Sequence, residues 1–138
     1  MKFFAVIDTN VIVSAMLKWN SVPGTVMNFV FDGTVTPIFD SRILEEYRNV
    51  LNRPKFKFPE ELIDTVVNHI KNSGILLNGE KLDLQLPDPD DLVFYEVTME
   101  KRKTSEAYLV TGNIGHFPSK QFVLTPREML DIIIRELA

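Results

Sequence analysis

The chain has 138 residues, no cysteine and a formal net charge of −4, and that length suits one core rather than several. Without cysteine, a disulfide scaffold and a thiolate metal site are excluded. The acidic balance argues against a passive nucleic-acid-binding module, which normally shows a basic excess, but not against an enzyme whose bound metal ions carry the positive charge.

Met1 to Ile7 reads as a short apolar run that Asp8 ends too early for a signal peptide. No apolar run is long enough to span a membrane, so a cytoplasmic protein with no membrane partner is expected. Phe3 to Ile7 is continuously apolar, the pattern of a strand buried on both faces in a parallel sheet. A helix is predicted from about Asn10 to Lys18, and Pro23 opens a second one running to about Phe31. Gly33 breaks that helix, and Thr36 to Phe39 reads as the second strand. Ser41 is the expected N-cap of a helix running to about Asn52 and stopped by Pro54. Pro59, Glu60 and Glu61 open another, ending near Gly74. Ile75 to Leu77 reads as a third strand and 78–87 as a loop, with Asp88 and Pro89 as the N-cap and first turn of the next helix. Tyr108 to Val110 and Gln121 to Leu124 read as two more strands, and Thr125-Pro126 starts a last helix that runs almost to Ala138. This alternation predicts one α/β domain over residues 1–138, with a central parallel sheet of four to five strands and helices on both faces.

In open sheets of this kind, ligands bind outside the carboxyl ends of the strands. Here those ends run into Asp8-Thr9-Asn10, Asp40-Ser41 and Thr111-Gly112-Asn113. Asp8 follows five apolar residues, and a carboxylate buried there is costly unless it is paired or bound to metal. The plainer reading makes Asp8 a helix N-cap. Asn10 could hold the Asp8 carboxylate or serve as a local turn residue. On the helix from Ser41, Ile43, Leu44, Tyr47, Val50 and Leu51 form one apolar face. Glu45 falls opposite that face and Glu46 at its border, which favours Glu46 as the inward acid; a border salt bridge with Arg42 or Arg53 is an equally open reading of Glu46.

The acids of Asp88-Pro89-Asp90-Asp91 all suit a helix N-terminus. Asp91 differs because it shares a helical face with Phe94 and Tyr95. Inward acids from distant parts of the chain repel one another unless a cation lies between them. Oxygen-only ligands suit Mg²⁺ or Mn²⁺, and such ions activate water and stabilise the leaving oxygen in phosphodiester cleavage. Two basic runs, Arg53/Lys55/Lys57 and Lys101-Arg102-Lys103, could grip a nucleic-acid backbone, although solvated surface is the plainer reading of both.

Four blocks in order along the chain carry a resemblance: Val6-Ile7-Asp8-Thr9-Asn10-Val11-Ile12-Val13-Ser14-Ala15, Ile43-Leu44-Glu45-Glu46-Tyr47-Arg48-Asn49-Val50-Leu51 with Arg53-Pro54-Lys55-Phe56, Pro87-Asp88-Pro89-Asp90-Asp91, and Tyr108-Leu109-Val110-Thr111-Gly112-Asn113. Together they resemble PIN domains, and among these the bacterial and archaeal toxins of type II toxin–antitoxin systems, the virulence-associated protein C-like ribonucleases. The resemblance implies a PIN-like three-layer sandwich and a Mg²⁺- or Mn²⁺-dependent endoribonuclease acting on single-stranded RNA. It places Asp8, Glu46 and Asp91 at the family's acidic metal-binding positions, and it implies an antitoxin partner and a homodimer. Where the family often has a fourth acid, this chain has Asn113, expected to complete the catalytic site without adding charge. Asp88, Asp90 and Glu106 are the candidates to make good that charge. His116, in the run Thr111 to Pro118, could touch a substrate phosphate or move a proton, although a lone histidine in a turn is more often structural.

Two rival readings stand beside this one. The first is a non-catalytic RNA-binding or interaction domain with a vestigial metal site, motivated by Asn113 and the acidic charge. The second is an aspartate-dependent phosphatase. Asp8-Thr9-Asn10 speaks against that, because it lacks the second aspartate two residues on that such enzymes usually carry.

Overall fold

In the computed structural model, which describes residues 2–138, the opening apolar run forms β1 (Phe3–Ile7). Met1, part of the expected 1–138 domain, lies outside the described residues. Then follow α1 (Thr9–Leu17), α2 (Val22–Phe31), β2 (Val35–Phe39), α3 (Ser41–Leu51), α4 (Glu60–Ser73) and β3 (Ile75–Leu76). After an irregular segment come α5 (Leu92–Arg102), β4 (Ala107–Val110), β5 (Val123–Leu124) and α6 (Pro126–Leu137). The five strands are all parallel and lie in the order β3-β2-β1-β4-β5, with helices packed against them as the alternation predicts.

β1 sits at the centre, which is why it carries no polar side chain: Ala5, Val6 and Ile7 are fully buried between the helical layers. From β1 the chain winds outward to β2 and β3, then crosses back to add β4 on the other side. Ile7 is therefore in register with Val110 across the point where the winding reverses. At such a point the connections at the carboxyl ends diverge and leave a crevice.

Several boundaries depend on identifiable caps. The Ser21 hydroxyl accepts from the Gly24 amide at 3.1 Å, with Pro23 in the first turn of α2. Gly33 takes a φ of +88°, a left-handed conformation that suits glycine after a helix. At α6, Thr125 and Glu128 form a reciprocal capping box. One expected cap is corrected: Asp40, not Ser41, caps α3. Asp40 retains extended backbone and accepts the Ile43 amide at 2.9 Å, whereas Ser41 has already turned into the helix. Ahead of α5, Pro89–Asp91 forms a 3₁₀ turn, with the Asp88 carboxylate accepting the Asp90 amide at 3.0 Å.

The segment 78–88 has no regular structure of its own before that turn, yet it is tied down. Buried Glu96 on α5 accepts the Leu82 amide at 2.7 Å, and Glu100 accepts that of Glu80 at 3.2 Å. Among the described residues, no helix is long and apolar enough to cross a membrane.

Candidate functional site

Asp8 stands at the carboxyl end of β1, where its amide donates to the Val110 carbonyl at 2.9 Å and extends the β1–β4 ladder by one step. That bond fixes the side chain in the crevice between the two strands. Although Asp8 occupies the N-cap position of α1, its side chain makes no capping bond. Its Oδ2 instead accepts from the Thr111 hydroxyl at 2.8 Å and from Asn10 Nδ2 at 3.2 Å. Asn10 is held from its other side by the Gly112 amide, which donates to its Oδ1 at 2.9 Å. A Cβ at Gly112 would lie 3.2 Å from that oxygen, a close approach that a glycine permits. Asp8, Asn10 and the Thr111-Gly112 turn thus form one hydrogen-bonded unit across the switch point.

Glu46 comes to this unit from α3. Its Oε2 accepts from the hydroxyl of Thr9, the neighbour of Asp8. The salt bridge weighed for Glu46 is absent: Arg42 turns to Asp40, at 2.8 and 3.0 Å, and Arg53 is exposed. Glu45 faces solvent, as the helical periodicity predicts. Tyr47, fully buried beside Glu46 in the sequence, donates its hydroxyl to the Ile7 carbonyl at 2.5 Å and locks α3 onto the end of β1.

Asp91 arrives from the turn before α5, with Phe94 and Tyr95 buried behind it. One of its oxygens, Oδ2, lies 3.2 Å from His116 Nδ1. His116 belongs to a second 3₁₀ turn, Ile114–His116, that follows β4.

The acids act on one another. Burial, opposed by the Thr111 bond and aided by the charge of Asp91, pushes the Asp8 carboxyl up from its ordinary 3.8 to about 6. Glu46 is also raised, chiefly by burial, against the pull of the Thr9 bond and with the charges of Asp8, Asp90 and Asp88 adding to the rise. Asp91 is raised by burial first, lowered by its bond to His116, and raised again by Asp88 and Glu46. Each of the expected acids therefore feels at least one of the others, through a local medium that screens charge less than water does.

The remaining candidates divide. Asn113 is exposed; its amide donates to the Thr111 hydroxyl at 2.9 Å, and its side chain makes no hydrogen bond among the described residues. Asp88 and Asp90 lie near enough to act on Glu46. Glu106 is corrected: it precedes β4, at the opposite end of the sheet from Asp8, and accepts from the Tyr108 hydroxyl at 3.0 Å. A strand's length separates it from the crevice, so it cannot supply the missing charge. The run Lys101 to Lys103 also lies at that far end. Lys101 covers the Phe4 ring at 4.3 Å, Arg102 covers Phe122 at 4.2 Å, and Lys103 pairs with Glu80 and Glu100.

The family model for the PIN domain matches residues 5–115, from the middle of β1 to the turn that holds His116. The chain belongs to the PIN domain family. PIN domains are generally nucleases. The chain is also 27% identical over 116 residues, 82% of its own length and 72% of the relative's, to an uncharacterized protein of Methanocaldococcus jannaschii. No solved structure matches it.

Three side chains of this PIN domain's crevice had no role assigned from the sequence: the Thr9 hydroxyl on Glu46, the Thr111 hydroxyl on Asp8 and the Tyr47 hydroxyl on Ile7. The only sequence signal for the threonines is their position at predicted strand ends. The Thr111 partner becomes visible once the sheet order brings residues 103 positions apart into contact, and the Thr9 partner, 37 positions away, once α3 docks against the end of β1.

Proposed function

We propose that this PIN domain is a metal-dependent endoribonuclease that cuts single-stranded RNA, and that it serves as the toxin of a toxin–antitoxin pair. The observation that carries the reading is the convergence of Asp8, Glu46 and Asp91 on one crevice from β1, α3 and the turn before α5, where burial first and their charges second raise all three carboxyls. Carboxylates so placed cost folding energy unless a cation offsets their charge.

The residues fit a divalent ion of the Mg²⁺ or Mn²⁺ kind. Their donors are oxygens, and Asp8 is too buried to be satisfied by bulk water. Among the described residues, no group of three or more acidic or histidine side chains is gathered closely enough to hold a metal ion as it stands. Mg²⁺ does not require one, because it keeps several waters and is commonly held by one or two carboxylates together with substrate phosphate. Asp8 and Glu46, with Asp91 across the crevice, would hold the ion. When bound, it supplies the positive charge and the acidity that activate water for phosphodiester cleavage. The chain's own contribution is orientation. Thr111 and Asn10 fix the Asp8 carboxylate, Thr9 fixes Glu46, and His116 fixes Asp91. Asn113, exposed beside Thr111, would hydrogen-bond a water or a substrate oxygen.

The test is cleavage of a labelled single-stranded RNA with Mg²⁺ and with Mn²⁺, comparing the wild type with Asp8→Asn. Loss of about a hundredfold or more in rate is expected; equal rates would reject the assignment. The second reading, a non-catalytic RNA-binding domain with a vestigial site, draws on the exposed, uncharged Asn113. It predicts no heat of Mn²⁺ binding at millimolar concentration in calorimetry. The toxin reading further expects a homodimer, checked by sedimentation, and a small antitoxin encoded beside this gene that inhibits cleavage.

A further inference from the structure

Beside Glu46 a cleft of about 440 Å³ opens between α3, the segment 78–88 and the start of α5. Volumes from about 300 Å³ upward suit small organic ligands. Arg42 of α3, paired with Asp40, and Lys81 of the segment 78–88 line it, and its apolar lining includes Leu82, Leu92 and Val93. Glu46 itself lines the cleft, which therefore borders the carboxylate crevice.

Of the cleft's other two acids, Glu96 is buried and already accepts the Leu82 amide, and Asp90 is exposed. The Lys81 side chain is exposed and makes no ion pair or hydrogen bond among the described residues. The flanking bonds from Glu96 to Leu82 and from Glu100 to Glu80 hold Lys81 where it stands.

We infer that this cleft seats the nucleotide adjoining the phosphate that is cut. Lys81 contacts its backbone phosphate, and its base lies on Leu82, Leu92 and Val93. The inference rests on the nuclease reading and adds a subsite to it. A cleft of about 440 Å³ has room for one nucleotide, and a base paired and stacked within a duplex is not free to lie on its apolar lining. Cations contacting phosphate, combined with apolar surface under a base, are the general means of holding single strands.

The test measures RNA binding apart from cleavage. Proteins in the Asp8→Asn background are titrated against a short fluorescein-labelled single-stranded oligoribonucleotide and against its duplex, read by anisotropy. Lys81→Glu should weaken single-strand binding about tenfold and lower the slope of log affinity against log salt by about one. Lys71→Glu, on exposed α4 surface away from the cleft, should stay within about twofold. Equal weakening of single strand and duplex by Lys81→Glu would make Lys81 a general surface charge and overturn the subsite. Unchanged binding by Lys81→Glu, with the wild type still cleaving, would overturn the subsite and leave the nuclease reading intact. If neither RNA binds and the wild type does not cleave, both fall.

Discussion

Asp8 shows most directly what a single residue costs this fold. Its carboxyl sits near 6 in the folded chain against an ordinary 3.8. An acid whose folded value is raised favours the folded state below its unfolded value, and that contribution is lost as pH rises through the folded value. Glu46 and Asp91 are raised too, so they act in the same direction. Without divalent ions, the protein should therefore lose stability between about pH 4 and pH 6.5, by on the order of 2–3 kcal/mol from Asp8 alone. Asp8→Asn should remove most of that loss and raise the metal-free melting temperature at pH 7.5 while abolishing cleavage. Urea denaturation across this pH range, with chelator and with Mn²⁺, reads both effects. A wild type whose metal-free stability rises through that interval would contradict the burial argument. The choice of Glu46 over Glu45 was legible in the sequence because it needed only the helical period. Its Thr9 partner was not, since that contact depends on how α3 docks against β1.

At the level of elements, the sequence was most informative where regular structure is set locally. Apolar runs, prolines and caps placed every strand and helix to within a few residues. The exception in kind is 78–87, which reads as a loop and is one by backbone criteria, yet is anchored like a structural element. Its anchor is the carboxylate of Glu96, fourteen residues away from the Leu82 amide that it accepts. No local pattern announces such a bond, and the helix's other acid, Glu100, joins in it by accepting the Glu80 amide. Glu96→Ala should leave the Leu82 amide without its partner and cost about 1–3 kcal/mol. Hydrogen exchange at Leu82 should speed up well before exchange in β1 does, because the strap can open without unfolding the sheet. If the two amides accelerated together, the strap would be part of the global folding unit. Because Lys81 is adjacent, single-strand RNA binding should weaken in the same variant even where it remains folded.

Across the whole molecule, the two ends of the sheet do opposite work. The carboxyl end collects acids that oppose folding, and the other end collects cations that support it. There Arg102 donates to the Ala107 carbonyl at 2.6 Å and covers the Phe122 ring, while Lys101 covers Phe4, which is in register with Ala107. A basic triplet that reads as a possible RNA grip is thus occupied in closing α5 onto β1 and β4. This polarity was only half legible: the winding order that sends Lys101 to Lys103 to the far end follows from alternation, but their ring partners follow from packing. The consequence is a separable pair of variants. Arg102→Ala should lower stability by about 1–2 kcal/mol, from a charge-assisted hydrogen bond and a cation–π contact, with the cleavage rate per folded molecule unchanged. Asp8→Asn should do the reverse. Chemical denaturation alongside single-turnover RNA cleavage measures both quantities on the same preparations. A loss of cleavage in Arg102→Ala at full folding would place RNA on the basic end, and the acid crevice would then no longer account for where the substrate sits.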